Sequence, residues 1–250
     1  MFKHIFCVIV AVLCILAPAT RAAEFTINPL HVSLDRTTRA SEILVRNDDS
    51  VPLRMQVQAM NWRQDADGQD QYELADGLLY FPRTMEIPPG DSRIIRVGVK
   101  AAPTAREDTY RVFVEELPPA VPTSAAPSGT SLQVLLRVGV PVFVAPAQSD
   151  RKAEITRLEL RGTIAEWALV NTGNVHLRAE KVALVGIARD GIRLFEQSFQ
   201  ERYLLAGALK TLRFNIPHEK CAQLATLEAV VVAEHLELKR KLDVAPGSCR

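Results

Sequence analysis

The sequence predicts an all-β protein made of two sandwich domains, and three observations support this prediction. Short runs of alternating apolar and polar residues recur at roughly 8–12-residue spacing with turn residues between them, which is typical of antiparallel sandwiches. The chain is rich in Val and Leu, only 6% of its residues are aromatic, and it shows almost no helical periodicity. A short polar linker interrupts the pattern, which then starts again.

The first 22 residues have the composition of a secretory signal peptide. Lys3 and His4 form a polar start, residues 5–16 an apolar run, and a small-residue region ends at Ala22. Cleavage after Ala22 would leave about 228 residues; an uncleaved anchor is the alternative. The run is short for a membrane span. No later segment has eighteen consecutive apolar residues, so we expect no membrane insertion of the mature chain.

We expect the first domain to occupy residues 23–145. Its most regular strand is 53–62, where Leu53, Met55 and Val57 alternate with polar residues. Residues 65–70 read as a polar hairpin turn. In order, the predicted strands are 24–35, 42–45, 53–62, 78–81, 86–87, 93–99, 110–117 and 131–144.

The last of these strands, 131–144, is the most informative part of the chain. Its even-numbered positions are aliphatic from Leu132 to Val142, and it follows a loop rich in Pro, Ser and Ala at 118–130. A strand of this kind must be covered on both faces or it will pair with another chain. It is either a core strand or a surface that binds another polypeptide. Strand parity leaves both open, because Leu135 and Phe143 on the opposite face are also apolar.

A linker at 146–151 precedes a second domain at 152–250. Two cysteines of the mature chain, Cys221 and Cys249, lie in this domain, and in an oxidising compartment a disulfide is the expected pairing. Two free buried thiols are the alternative. The predicted strands of this domain are 153–160, 164–170, 177–187, 193–200, 207–216, 226–235 and 236–244.

The sequence lacks the signatures of an enzyme or of a nucleic-acid-binding protein. Its net charge is +1 and charges of both signs are interspersed, so there is no basic patch. The glycine at 65–70 stands two positions too early for a calcium loop. A catalytic role for Cys221 would need a paired base, and only His218 is nearby. Neither a metal nor a cofactor is expected, because metal-ligand spacing is absent among the histidines at positions 31, 176, 218 and 235.

Several short stretches, taken in order, resemble the periplasmic chaperones of the chaperone–usher pathway, the PapD-like family. No single stretch is specific, but their order and spacing are, and together they cover essentially the whole mature chain. The YRVF and VLLRV stretches are similar to the non-classical (archaic) branch. The matching stretches are VRND (45–48) with Pro52, IPPGDS (87–92), YRVF (110–113), ELPP (116–119), residues 132–146, LVNTGN (169–174) and LAG (205–207).

The resemblance implies two immunoglobulin-like domains in a boomerang arrangement and a chaperone function in the periplasm. Such a chaperone binds pilus, fimbrial or surface-coat subunits that lack their last strand, and delivers them to an outer-membrane usher. Its seventh strand completes the subunit. The matching side chains here are Leu132, Val134 and Leu136. A secreted two-domain adhesin or structural pilus component is the alternative, although a subunit should itself lack a strand.

The resemblance also locates a site for the subunit's C-terminal carboxylate, but the expected cations are missing. Well-studied members use an arginine on the first strand and a lysine on the seventh, and these positions are His31 and Pro141 here. Proline cannot donate a hydrogen bond, and histidine is mostly neutral near pH 7. The nearest candidate anchors are Arg111 and Arg137, with Arg39 and Arg96 as further candidates.

Overall fold

The computed structural model describes residues 24–65, 67–100, 104–118, 134–200, 202–234 and 236–249. The predicted signal peptide, most of the loop at 118–130, and Leu132 lie outside these residues. Within them the protein is nearly all β and has two sandwiches, which confirms the predicted fold class.

Ten strands form the first sandwich. They are β1 Phe25–Asn28, β2 Val32–Leu34, β3 Ala40–Asn47, β4 Leu53–Gln64, β5 Asp70–Leu74, β6 Leu78–Phe81, β7 Thr84–Ile87, β8 Ser92–Val99, β9 Asp108–Glu116 and β10 Arg137–Val144. One sheet is four-stranded, in the order β1-β3-β8-β6. The other is six-stranded, in the order β2-β10-β9-β4-β5, with β7 also paired to β4.

The apolar face predicted for residues 53–62 lies between these two sheets. Leu53, Met55, Val57 and Ala59 are all buried, whereas the residues that alternate with them are more exposed. Burial of aliphatic side chains of this size contributes about 1.5–3 kcal/mol each relative to exposure. The period of two therefore orients β4 with its aliphatic face inward.

Strand β10 is shorter than the predicted strand 131–144: the prediction is wrong at residues 134–136, and residues 131–133 lie outside the described part of the chain. Val140 and Val142 are core residues, but the strand begins at Arg137, and residues 134–136 are exposed and outside it. Strand β9 ends at Glu116, whose N–H donates to Leu136 O at 2.9 Å. Residues before Leu136 therefore have no partner strand among the described residues. Residues 134–144 thus contain both a core strand and an exposed apolar segment.

The second sandwich contains eight strands and one short helix. These are β11 Ala153–Arg161, β12 Ile164–Asn171, β13 Leu177–Ala188, β14 Arg193–Ser198, β15 Tyr203–Leu204, β16 Leu209–Asn215, α1 His218–Cys221, β17 Leu224–Ala233 and β18 Leu236–Asp243. One sheet has the order β11-β12-β16. The other has the order β14-β13-β17-β18, with β15 also paired to β13.

A disulfide bond joins Cys221 of α1 to Cys249, as predicted from the even cysteine pair. The two Cα atoms are 5.8 Å apart and the residues are separated by 28 positions, so the bond fastens the end of the chain to the second sandwich. In the part of the chain that the structure describes, no helix is long and apolar enough to cross a membrane.

A buried asparagine closes the same corner in both sandwiches. The Nδ2 of Asn47 donates to Val51 O at 2.7 Å and to Ile87 O at 2.9 Å, and its Oδ1 accepts the N–H of Asp49 at 3.0 Å. Asn171 makes the equivalent three bonds in the second sandwich. Both asparagine side chains are almost completely buried and satisfy backbone groups of the adjoining turn.

Replacement of Asn47 by alanine is expected to lower the free energy of unfolding by about 2–4 kcal/mol, because it leaves buried backbone groups without partners. Urea denaturation of the purified protein measures this change. Asn61→Ala is the control, since Asn61 is more exposed and makes one bond of 3.3 Å to Leu74 O; we expect a loss below about 1 kcal/mol there. Equal losses in the two variants would contradict the role assigned to Asn47.

Candidate functional site

The first half of β10 is an open edge of the six-stranded sheet. β10 pairs with β9 along its whole length, from Arg137 to Val144. On the other side it pairs with β2 only from Val142 onward. Among the described residues, the segment from Arg137 to Pro141 therefore has a neighbouring strand on one side only.

Hydrogen bonds at the two ends of β10 show which backbone groups face this open side. The N–H of Glu116 on β9 donates to Leu136 O, and the N–H of Ala145 donates to Leu34 O on β2. Along a strand, the backbone N–H and C=O groups of successive residues point to opposite sides. The even-numbered residues of β10 therefore bond to β9, and the backbone groups of residues 137, 139 and 141 point to the open edge. Pro141 lacks an N–H, and at an outward position it removes no bond from the sheet.

An exposed apolar segment leads directly into this edge. The exposed fractions are 60% for Val134, 41% for Leu135 and 38% for Leu136. Exposed aliphatic side chains beside unpaired backbone groups make a surface that can pair with a strand from another chain.

The positions of the two missing cations lie side by side near this edge. His31 and Pro141 each stand one residue before the paired residues Val32 and Val142. On the other side, Pro141 is directly opposite Arg111 of β9. Directly opposite side chains in an antiparallel pair are near neighbours, so Arg111 is the arginine across the strand from the position of the usual lysine.

Arg111 is held in place by aromatic and acidic groups. Its guanidinium carbon lies 3.9 Å from the ring centroid of Trp62. Its Nη1 donates to the hydroxyl of Tyr72 and lies 3.3 Å from Asp70 Oδ2. The side chain is 19% exposed, and its buried Nε has no hydrogen-bond partner within the described residues. Arg111 is therefore mostly buried, and within the described residues its guanidinium is incompletely hydrogen-bonded.

Tyr72 acts as a hydrogen-bond donor at this site. Its hydroxyl donates to Asp70 Oδ2 at 3.0 Å. Burial raises the pKa of Tyr72 to about 12, with Arg111 acting in the opposite direction and Asp70 adding to the rise. The hydroxyl therefore keeps its proton at neutral pH.

Arg137 lies on the same face as Arg111, with Phe113 between them. The guanidinium carbon of Arg137 is 4.0 Å from the Phe113 centroid, and its Nε is 3.3 Å from Glu115 Oε2. Phe113 in turn meets the ring of Tyr72 edge-on at 5.2 Å. We call the set Arg137, Phe113, Tyr72, Arg111 and Trp62 the cation–aromatic row.

The two further candidate arginines lie elsewhere. Arg39 Nη2 donates to Lys100 O at 3.1 Å, next to the end of β8. Arg96 pairs with Glu42 at 3.1 Å across β3 and β8. Both contacts belong to the four-stranded sheet, so the structure does not bring these arginines to the cation–aromatic row.

The far end of the cation–aromatic row packs against the second sandwich. Trp62 and Phe143 belong to the same buried cluster as the core of that sandwich, and Trp62 meets Tyr203 edge-on at 5.8 Å. His176 stacks on Phe143 at 3.7 Å, and its backbone N–H donates to Glu107 at 2.8 Å. The sheet that carries the row is therefore fixed relative to the second sandwich.

A polar cleft of about 480 Å³ lies beside this contact, between residues 106–110 and residues 205–208. Burial, together with the charge of Glu107, raises the pKa of the Asp108 carboxyl group. The described residues contain no group of three or more His, Cys, Asp or Glu that could hold a metal ion.

Gly139→Ala is expected to displace Arg111 without unfolding the sandwich. A Cβ at Gly139 would lie 2.8 Å from Arg111 Cδ and 3.0 Å from Phe113 Cε1, which is closer than packed atoms tolerate. The indole N–H signal of Trp62 in an NMR spectrum should shift, because Arg111 lies over that ring. The signal of Trp167 in the second sandwich is the internal control. An unchanged Trp62 signal would show that the row accommodates the methyl group.

Sequence patterns did not single out the partners of Arg111. The sequence predicts a hairpin turn that ends at Asp70, whereas Asp70 is the first residue of β5 and Tyr72 follows it on the same face. Trp62, Tyr72 and Arg111 meet because β5, β4 and β9 are adjacent. No spacing within one strand carries that information.

Comparisons with known proteins agree with this architecture. A family model described as pili and flagellar-assembly chaperone, PapD N-terminal domain, matches residues 24–150. No curated protein sequence is significantly similar to the chain.

Solved structures with the same two-domain fold include three from bacterial pilus systems. One is a chain of the CsuC–CsuE chaperone–tip adhesion subunit pre-assembly complex from archaic chaperone-usher Csu pili of Acinetobacter baumannii, with a TM-score of 0.58 at 16% identity, covering 88% of this chain and 98% of that one. A chain of the SafA pilin–SafB chaperone complex of Salmonella enterica has a TM-score of 0.57 at 16% identity. The match covers 90% of this chain and 99% of that one.

The third is the Pseudomonas aeruginosa CupB2 chaperone, with a TM-score of 0.53 at 16% identity and coverages of 87% and 98%. At these identities the structures establish the fold alone. The family model covers just over half of the 250 residues. The chain therefore belongs to the PapD-like family of pili and flagellar-assembly chaperones, which is a family of chaperones and not a class of enzymes.

Proposed function

We propose that this protein is a periplasmic chaperone that stabilises pilus or fimbrial subunits by donor-strand complementation and delivers them to an outer-membrane usher. The observation that carries the proposal is the open edge of β10, which directly follows the exposed apolar residues 134–136. A signal peptide at residues 1–22 is part of the same proposal, since it would bring the chain to the periplasm.

The open edge is suited to the completion of another sheet. Residues 137 and 139 would offer backbone N–H and C=O groups to a subunit strand, and Pro141 would offer its C=O only. Leu132, Val134 and Leu136 would then fill the subunit's groove, each contributing about 1.5–3 kcal/mol before the costs of association. Val134 and Leu136 are already exposed in the free protein, so binding would not require the chaperone to open its own core.

Arg111 is the anchor we propose for the subunit's C-terminal carboxylate, with Arg137 as a second cation. Arg111 lies opposite Pro141, on the face of the sheet that turns toward the second sandwich. Arginine binds a carboxylate through paired N–H groups, and Arg111 uses few of its donors within the described residues. Arg137 is 46% exposed and lies further along the same face.

Three finer assignments belong to the same proposal. The YRVF and VLLRV stretches favour the archaic branch of the family. The polypeptide is divided into domains at 23–145 and 152–250 with a linker at 146–151, which is supported by the two sets of sheets. Its partners are a small secreted subunit and an usher, in analogy to the chaperone–subunit complexes among the similar structures.

The proposal is tested by isolating the full chain from the periplasm with its bound subunit and mapping the contact. Native mass spectrometry should show one chaperone and one small secreted protein. Hydrogen–deuterium exchange should then show protection at residues 134–139 in the complex relative to the free chaperone. A complex whose protection lies on the four-stranded sheet instead would refute strand donation by β10.

A further inference from the structure

We propose that Asp70 is an internal stand-in for the subunit's C-terminal carboxylate, which means that in the free chaperone it occupies the place on Arg111 that this carboxylate takes in the complex. It pairs with Arg111 in the free chaperone and gives up this cation when a carboxylate-terminated strand binds. The inference rests on the proposed function, because it assigns regulation to the same anchoring site. It makes Asp70 a residue that sets how strongly the site prefers a free carboxylate.

The pair between Arg111 and Asp70 is weak enough to be exchanged. Charge-assisted N–H···O bonds in tight pairs measure about 2.7–2.9 Å, whereas Arg111 Nη1 is 3.3 Å from Asp70 Oδ2. One donor nitrogen of Arg111 makes both this contact and the bond to Tyr72. Arg111 Nε is meanwhile buried without a partner among the described residues. The guanidinium is therefore fixed beside β10, but its hydrogen-bond donors are not all used within the described residues.

Asp70 keeps other partners when it loses Arg111. Its Oδ2 accepts the Tyr72 hydroxyl at 3.0 Å, and its Oδ1 accepts Gln64 Nε2 at 3.2 Å. Gln64 is itself bonded to the second sandwich, through Tyr203 O at 3.1 Å and the N–H of Leu205 at 2.9 Å. The Asp70 side chain is also 35% exposed, so water can donate the remaining hydrogen bonds to its carboxylate oxygens. Exchange would leave no buried carboxylate without a donor.

The charges favour replacement of Asp70 by the incoming carboxylate at Arg111. Arg111 is a mostly buried cation over the Trp62 ring, and such a charge needs an anion nearby. Asp70 supplies it in the free protein. An arriving carboxylate beside Asp70 would place two like charges at one cation, which is unfavourable. The incoming group therefore binds more tightly when Asp70 is neutral or has moved away.

The test compares the wild-type full chain with Asp70→Asn, using two synthetic peptides as probes. Both are N-acetylated octapeptides of alternating valine and threonine; one ends in a free carboxylate and the other in an amide. For the acid peptide we expect about five- to ten-fold tighter binding to Asp70→Asn. The amide peptide should bind the two proteins equally. Glu73→Gln removes one negative charge from the other face of β5 and should leave both affinities unchanged.

The outcomes separate this inference from the proposed function. Failure of both peptides to bind either protein would overturn strand pairing at β10, and the inference with it. An acid preference that is the same in wild type and Asp70→Asn would overturn the stand-in while the proposed function survives. Equal gains for acid and amide would do the same.

A second readout on the wild-type protein does not depend on how the variant folds. The ¹³C signal of the Asp70 carboxylate, assigned through the backbone, should shift on addition of the acid peptide and stay in place with the amide. The Arg111 Nε–H signal should respond in the same way. If the acid peptide shifts the Arg111 Nε–H signal but leaves the Asp70 ¹³C signal unchanged, the carboxylate binds without displacing Asp70.

Discussion

Replacement of Val134 by aspartate is expected to weaken subunit binding at least about 100-fold while leaving the chaperone folded. Val134 is 60% exposed and precedes β10, so the charge adds no strain to the sandwich. In the proposed complex the same side chain lies in an apolar groove, where an unpaired carboxylate is strongly unfavourable. Affinity for the purified subunit is measured by titration calorimetry, and urea unfolding checks the fold.

Two further variants are controls for the Val134 experiment. Val51→Asp places the same charge on another exposed valine, which is 55% exposed and lies between β3 and β4; it should leave affinity unchanged. Val140→Asp changes the same even-numbered series where it is fully buried and should prevent folding. If Val134→Asp binds the subunit as tightly as the wild type, the donor-strand mechanism is wrong.

Trp62→Ala is expected to lower the free energy of unfolding by about 3–5 kcal/mol. Trp62 is almost completely buried, and its ring contacts Phe143, Tyr203 and Arg111. Its loss would leave a cavity where the first sandwich meets the second. We therefore also expect the two sandwiches to unfold in separate steps, which scanning calorimetry would detect as two transitions, whereas a single transition is expected for the wild type.

Trp62→Phe is the matched control for the alanine variant. The indole Nε1 is buried without a hydrogen-bond partner among the described residues, so phenylalanine removes no hydrogen bond and keeps most of the apolar contact. The decrease in the free energy of unfolding should be smaller than for Trp62→Ala, and calorimetry should show a single unfolding transition. A single transition in Trp62→Ala as well would show that the contacts of Glu107 and Gln64 suffice to couple the sandwiches.

The fold was predictable from the sequence to the extent that local patterns determine it. The alternation in β4, the turn residues between the strands, and the even cysteine pair all correspond to features of the structure. A β-strand displays its buried face as a period of two, and turns require particular residue types. Both signals are contained within a few neighbouring residues.

The beginning of β10 was not predictable in the same way. The even-numbered aliphatic series runs through 131–144 without a break, yet only its later part is buried within the described residues. The difference depends on where β9 ends and where β2 begins to pair, at Glu116 and Val142. Strand parity reports which residues share a face, but it does not report what covers that face.

Local sequence patterns predicted an all-β chain of two sandwiches, a disulfide in the second, and an aliphatic strand with two possible roles. The assembled sheets were needed to show which part of that strand is core, and that Arg111 lies opposite Pro141 with Asp70, Tyr72 and Trp62 around it. These contacts join residues from different strands. Their proximity follows from strand order and register, which are properties of the assembled sheet.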